Sequence, residues 1–296
     1  MDRLHLMMVF VAVAEEQSFA SGARRLGMSP PAVTRAIAAL ENRLSVKLFT
    51  RTTRYVRVTD AGQRYLEDAR RIIHEVDEAD ETAAGINAEP RGHLAVTAPV
   101  LFGRMFVISG IADYLQRYPN MEVSAVFLDR VVNLLEEGFD VGIRIGELPD
   151  SSMKAIRVGS VRRVVCASPA YLTKKGMPAH PNDLINHFIV AASAVSPLVD
   201  WKFSQGLVVS VKPRLTVTHN DSAIEAVLQG IGVTRLLSYQ IAPYLASGQL
   251  QTILTEFEPE PLPIHVIHRE NRYASAKVRT FVDLMVVQLR SKINTE

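Results

Sequence analysis

The stretch SFASGARRLGMSPPAVTRAIAALENRL, residues 18–44, reads as two short helices joined by a tight turn. Ser18 is placed to cap the first helix, because its hydroxyl accepts from backbone N–H groups that have no partner inside the helix. Ala23 and Leu26 share one face of that helix. Gly27 follows as the turn residue, where a positive φ costs little without a Cβ. Ser29 is a second N-cap. Pro30 and Pro31 then take the first helical positions, where the backbone N–H is unpaired in any helix. Val33, Ile37, Leu40 and Leu44 recur at spacings of four, three and four, which makes one apolar stripe. Thr34, Arg35 and Ala38 lie on the opposite face. Ala23, Gly27 and Val33 thus hold the small, turn-forming and buried positions that a helix-turn-helix needs. The same spacing also fits an ordinary helical hairpin in a core, so the choice between them rests on the surroundings.

Those surroundings are basic. Residues 1–58 carry nine Lys and Arg against four acids, a net charge of +5, although the whole 296-residue chain is only +2. A local positive field is the expected footprint of phosphate binding. Immediately downstream, LFTRTTRYVRVT at residues 48–59 places strand formers at 48–50 and 55–58 on either side of a polar turn. This predicts a two-stranded wing with Arg51, Thr52 and Arg54 at its tip, in reach of backbone phosphates.

FVAVAEEQSF at residues 10–19, ARRLGMS at 23–29, PAVTRAIAALE at 31–41 and LFTRTTRYVRVTDAG at 48–62 together resemble the DNA-binding domain of LysR-type transcriptional regulators. The match runs nearly without gaps for about sixty residues, and weaker similarity continues to the end of the chain. The resemblance implies DNA contacts from Ser18, Ser29, Pro30, Pro31, Ala32, Thr34, Arg35, Arg51, Thr52 and Arg54. Many members carry Gln where this chain has Pro30. Proline offers a base only apolar contact, such as with a thymine methyl, so base reading shifts to Pro31, Thr34 and Arg35, the last able to bind guanine. Gly22 replaces a common Ala, which either costs about 1 kcal/mol of helix preference or marks a close approach of the backbone to phosphate.

Thr59 can cap a long helix over residues 60–88. Within it Tyr65, Ala69, Ile72, Val76, Ala79, Ala83 and Ile86 alternate by four and three, the period of a coiled-coil seam. Residues 60–89 hold nine acids against three arginines, so this helix is repelled by DNA. A dimer seam is favoured over an amphipathic helix packed on its own domain. LysR-type proteins pair through this helix, and a dimer lets one short recognition helix gain affinity from two half-sites.

Glu89-Pro90-Arg91-Gly92 ends the helix as a hinge. Beyond it, strands are expected at residues 93–98, 121–127, 140–146, 214–219 and 231–236. Helices are expected at 102–118, 131–138, 222–230 and 277–289, which implies mostly parallel sheets covered by helices. The fold class is therefore α plus α/β, comprising a winged helix-turn-helix at 1–59, a linker and dimerisation helix at 60–89, and an effector domain at 90–296. By resemblance the last is like a periplasmic binding protein, with subdomain I at about 91–162 and 268–296 and subdomain II at about 163–267. Ligands in such folds bind beyond the carboxyl ends of strands. The cleft is then expected to be lined by Pro99, Val100, Phe102, Ile145, Gly146, His219, Asn220 and Thr234. Many members start the helix after the first strand with Ser or Thr to hold a carboxylate. Pro99 and Val100 lean instead toward an apolar or aromatic ligand.

Other chemistries have little support. His265 and His268 are three apart in a strand, hence on opposite faces, and no metal site or cofactor is expected. Cys166 is the one cysteine and sits in an apolar run, which suits a buried inert thiol and excludes an internal disulfide. No catalytic constellation is legible. The apolar start LHLMMVFVAVAEE is short, ends in acids and lacks a cleavage-like tail, and no membrane span is present. The expected partners are double-stranded promoter DNA, a small-molecule effector (an organic acid or aromatic), further copies of the chain as homodimer and homotetramer, and RNA polymerase, all in the cytoplasm. An enzyme with an acquired DNA-binding head, and a binding protein with a vestigial head, are the alternatives.

Overall fold

The computed structural model describes residues 2–51, 56–84, 89–148, 153–192, 199–269 and 275–293. The chain divides into two compact units. One comprises Met1–Pro90 with Val132–Asp140 and Asn271–Lys277, and the other comprises Arg91–Val131, Val141–Glu270 and Val278–Glu296.

In the first unit, α1 (Arg3–Glu16), α2 (Phe19–Arg25) and α3 (Pro30–Leu44) precede a hairpin of β1 (Phe49–Arg51) and β2 (Val56–Val58), followed by the long α4 (Asp60–Ala84). The hairpin is antiparallel, with Phe49 opposite Val58 and Arg51 opposite Val56. Val33, Ile37 and Leu40 of the apolar stripe are fully buried, against Phe10, Val13, Ala23 and Leu48. The rings of Phe10, Phe49 and Tyr65 close this core, at centroid separations of 5.2 Å and 5.4 Å from Phe10. Thr59 caps α4 by accepting from Gly62 N–H at 2.9 Å, and its hydroxyl donates to the Lys47 carbonyl at 2.8 Å.

The second unit is built on two five-stranded sheets. One runs in the order β4-β3-β5-β14-β6, from β3 (Gly92–Ala98), β4 (Met121–Phe127), β5 (Val141–Ile145), β6 (Met153–Val161) and β14 (Leu262–Arg269). The other runs β11-β8-β12-β7-β13, from β7 (Arg163–Ala167), β8 (Ile189–Ala192), β11 (Pro213–Val217), β12 (Val233–Leu237) and β13 (Gln251–Ile253). A separate hairpin joins β9 (Val199–Lys202) to β10 (Val208–Val211). The helices are α5 (Val100–Phe102, continued by a π-helical turn Gly103–Val107 and by Ile108–Arg117), α6 (Pro169–Lys175), α7 (Asn220–Leu228), α8 (Ser238–Ala246) and α9 (Ala276–Ile293).

Three expectations need correction. The sheets are mixed, because in each one the strands next to the crossovers, β14 and β6 or β7 and β13, run antiparallel to their neighbours. The helix after β3 begins at Val100 rather than two residues later. Residues 131–138 form turns instead of a helix. There the Asn133 side chain accepts from Leu135 N–H at 3.1 Å, a local bond that competes with helix.

The chain passes between the sheets at Arg162, and again between β13 and β14. Ser238 N–H donates to the Arg162 carbonyl at 2.9 Å, and the Arg162 side chain pairs with Glu258 at 2.8 Å, so the two passages are fastened together. One continuous apolar cluster contains residues of both sheets, including Leu94, Val96, Ile143, Val164, Cys166 and Leu236. Among the described residues no helix is long and apolar enough to cross a membrane.

Candidate nucleic-acid interface and effector cleft

The turn between α2 and α3 forms as its residues dictate. The Ser18 hydroxyl accepts from Ser21 N–H at 3.2 Å, and Gly27 adopts φ +62°. Gly22 is buried, and a Cβ there would stand 3.0 Å from Val13 Cγ2 and 3.1 Å from Val13 Cα. The missing side chain therefore admits α1 and not a phosphate. Ser29 stands at the N-cap of α3 but makes no side-chain cap bond. Its carbonyl instead accepts from Ala32 and Val33, at 2.9 Å and 3.1 Å. With two prolines ahead of them, the first turn of α3 keeps few N–H groups for an anion. Phosphate contact must then come from side chains.

Ser29, Pro30, Pro31, Thr34 and Arg35 are exposed, while Ala32 and Ser18 are half-buried. The Thr34 hydroxyl is turned back to the Pro30 carbonyl at 3.0 Å. Arg35 makes no hydrogen bond or ion pair among the described residues, so its guanidinium fork is available to a base edge. Arg24 bonds the Ser21 hydroxyl, and Arg25 pairs with Glu15 at 2.7 Å. The strand register carries Arg51 into the wing, but its side chain, Thr52 and Arg54 lie outside the described residues.

The sequence reading missed Glu41. Its side chain is only 4% exposed. One carboxylate oxygen accepts from Leu48 N–H at 2.9 Å and Phe49 N–H at 3.2 Å, and the other takes the Lys47 ammonium at 2.7 Å. Burial alone would raise the Glu41 pKa, but the Lys47 contact and the two backbone N–H groups outweigh it and hold the group below its ordinary value. Glu41 thereby fixes the end of α3 to the first strand of the wing. The signal was present, since Glu41 lies four residues after Ile37 on the buried stripe.

The linker helix departs from expectation. Ala69 is fully buried within the first unit, Tyr65 and Ile72 pack against the same core, and Arg70 pairs with Glu15 of α1 at 2.9 Å. Ala69 is thus used inside the chain and leaves no surface for a partner, whereas Tyr65 packs on this core but stays half-exposed. Val76 is half-buried and Ala79 exposed. The side chain of Ala83, and Ile86 altogether, lie outside what is described.

In the second unit Pro99 and Val100 are half-buried at the start of α5. The Val100 N–H already has an anionic partner, Asp129 Oδ1 at 3.0 Å, which no sequence signal singled out. Phe102 is wholly buried and does not line an opening. Its ring meets Tyr239 edge-on at 5.3 Å, and Phe106 meets the same tyrosine at 5.7 Å. Burial pushes the Tyr239 phenol pKa up. Ile145 is half-buried, Gly146 takes φ +114°, His219 is exposed, and Asn220 begins α7. Thr234 is completely buried with an unpartnered hydroxyl, so it is a core residue instead of a wall. Cys166 is buried opposite it, with its pKa pushed up to about 12 by burial. Among the described residues no group of three or more His, Cys, Asp or Glu is placed to hold a metal.

A winged helix-turn-helix followed by a two-sheet α/β unit is the architecture of a ligand-responsive DNA-binding regulator. Residues 4–63 match the family described as bacterial regulatory helix-turn-helix protein, lysR family, and residues 87–290 match the LysR substrate binding domain. The chain belongs to the LysR-type transcriptional regulators. It is 32% identical to the uncharacterized HTH-type transcriptional regulator YcaN of Escherichia coli K12, over 93% of this chain and 91% of that one. It is 30% identical to the HTH-type transcriptional activator AaeR of the same organism, over 96% and 93%. The solved LysR-type regulator CrgA of Neisseria meningitidis superposes with a TM-score of 0.62 at 29% identity, covering 96% and 98% of the two chains.

Proposed function

We propose that this regulator reads promoter DNA with the exposed face of α3, that Arg35 supplies the main base contact, and that Arg51 and Arg54 hold flanking phosphates. The observation that carries this is the Arg35 guanidinium, exposed and unpartnered among the described residues, on the face opposite the buried Val33–Ile37–Leu40 stripe. Ser29, Pro30, Pro31, Ala32 and Thr34 complete the surface. In this reading the protein is cytoplasmic, is not an enzyme, pairs as a homodimer through the part of α4 beyond Ile72, assembles further as a homotetramer, and works with RNA polymerase. Its effector lies near Pro99, Val100, Ile145, Gly146, His219 and Asn220. Asp129 already satisfies the Val100 N–H, which argues against a simple carboxylate at that point and for an aromatic body there.

The test is quantitative footprinting of the DNA upstream of the protein's own gene, beside a scrambled duplex. Arg35→Ala should lower the ratio of specific to scrambled affinity by about fivefold to 150-fold, the worth of a bidentate base contact of ~1–3 kcal/mol. Arg51→Ala should weaken both duplexes alike. An unchanged ratio for Arg35→Ala would remove the base-reading role.

A further inference from the structure

Two arginines on the second sheet have positive charge and no counter-charge among the described residues. In the antiparallel ladder of β12 and β7, Arg235 stands opposite Val165 and Leu237 stands opposite Arg163. Both guanidinium side chains therefore leave the same face of the sheet as diagonal neighbours, about 7–8 Å apart at the backbone. The β9–β10 hairpin contributes Trp201 and Phe203 to the apolar cluster on that face. The Arg235 guanidinium lies 5.1 Å from the Trp201 ring centre and 6.0 Å from that of Phe203, and one of its nitrogens donates to the Lys202 carbonyl at 3.0 Å.

We propose that Arg163 and Arg235 form a binding site for a compact oxyanion, a carboxylate or phosphate group, held against the Trp201 edge of the hairpin. Both side chains are half-buried, and neither has an acidic partner among the described residues. Asp200 is the acid next to Trp201 in sequence, but strand alternation turns it to the other side of the hairpin, where it accepts from the Ser210 hydroxyl. Two desolvated like charges oppose each other, and this is visible in the pKa of Arg235, which burial and then Arg163 push down to about 9. At neutral pH it is still protonated. Such a pair costs free energy until an anion joins it.

The donors suit that role. Arg235 lies beside the Trp201 ring and uses one nitrogen on the Lys202 carbonyl, which leaves the rest of its planar fork without a partner among the described residues. The Arg163 guanidinium has no hydrogen-bond partner among the described residues. Planar forks of this kind match carboxylate and phosphate two bonds at a time. A role confined to covering Trp201 would need Arg235 alone and would not place a second arginine beside it. The site shares no residue with the cleft proposed above and does not rest on that reading.

Trp201 is the only tryptophan in the chain, so its fluorescence reports on the site directly. The full-length protein is titrated at pH 7 with sodium phosphate and separately with sodium acetate, with sodium chloride holding ionic strength constant. At least one oxyanion should give a saturable change in Trp201 emission, and which one does so distinguishes phosphate from carboxylate. Arg163→Gln, which touches neither ring, should leave the unliganded spectrum unchanged and weaken the response about tenfold. Arg235→Lys, which keeps the charge but loses the fork, should weaken it similarly and covers the case in which the first variant does not fold. Responses to both salts that match chloride, or an Arg163→Gln titration that overlays the parent, would overturn the site.

Discussion

Replacing Glu41 tests the idea that one carboxylate carries the wing. Glu41→Ala removes the acceptor of two backbone N–H groups, on Leu48 and Phe49, together with the partner of Lys47. A hydrogen bond to a charged group is worth ~1.5–3 kcal/mol, and a buried donor left without a partner costs ~1–3 kcal/mol. Lys47 is 75% exposed, so its share is discounted to well under ~1 kcal/mol by solvent screening. Removing the carboxylate also relieves its own desolvation. The expected net loss is about 3 kcal/mol, a large part of the ~5–15 kcal/mol that holds a domain folded. Glu41→Gln keeps one acceptor oxygen and should lose roughly half as much.

Trp201 reports only on the second unit, so the assay is hydrogen exchange of the amides of residues 48 and 49. Protection there should fall by about a hundredfold in Glu41→Ala, which corresponds to ~2.7 kcal/mol. The pH dependence has a definite sign. Because the folded-state pKa lies below the ordinary 4.5, the stability from Glu41 is complete above that value and disappears as pH falls through the lower one. The gap between parent and Glu41→Gln should therefore be constant near neutrality and close in acid. Exchange in Glu41→Ala within about threefold of the parent, or a gap that stays flat down to pH 3 (about 1.5 units below the ordinary carboxylate value), would refute the reasoning.

Three further outcomes follow from the geometry. Gly62→Ala places a Cβ 2.3 Å from the Leu48 carbonyl oxygen and 2.6 Å from Val58 Cγ1, and should destabilise the first unit by ~1–3 kcal/mol in a urea melt followed by circular dichroism. Thr59→Val loses the cap on Gly62 N–H and the bond to the Lys47 carbonyl, and should cost about 1–2 kcal/mol in the same melt. Cys166, with its pKa near 12 and no exposure, should not react with a thiol-disulfide reagent at pH 8 (well over ~100-fold below half-ionisation) until urea unfolds the second unit. Rapid labelling of the native protein would show that the strand opens.

The sequence exposed what depends on local periodicity and missed what depends on tertiary partners. The Val33–Ile37–Leu40 stripe and the Ser18 and Thr59 caps were readable because each needs only neighbours within a turn of helix. The seam had the right period, but at Ala69 its recipient is the chain's own core. A heptad-like stripe says that a face is buried but does not say whether α1 or a second chain buries it. Phe102 and Thr234 were placed by their position after or within strands, and that rule finds the end of a strand without deciding which side chains are sealed inside the core. Asp129 and Glu41 act through long-range bonds to Val100, Leu48 and Phe49, for which no spacing rule exists.

The docking of α4 on α1 has a mechanical consequence. Ala69 seated in the core, with Arg70 bound to Glu15, ties the linker helix rigidly to the body that carries α3. The 25 residues of α4 span about 37 Å at 1.5 Å per residue. A tilt of only ~5° about one end of such an arm displaces the other by about 3 Å, close to the 3.4 Å rise of one base pair. A small change of angle at one end of this arm thus becomes a displacement of several ångströms at the other.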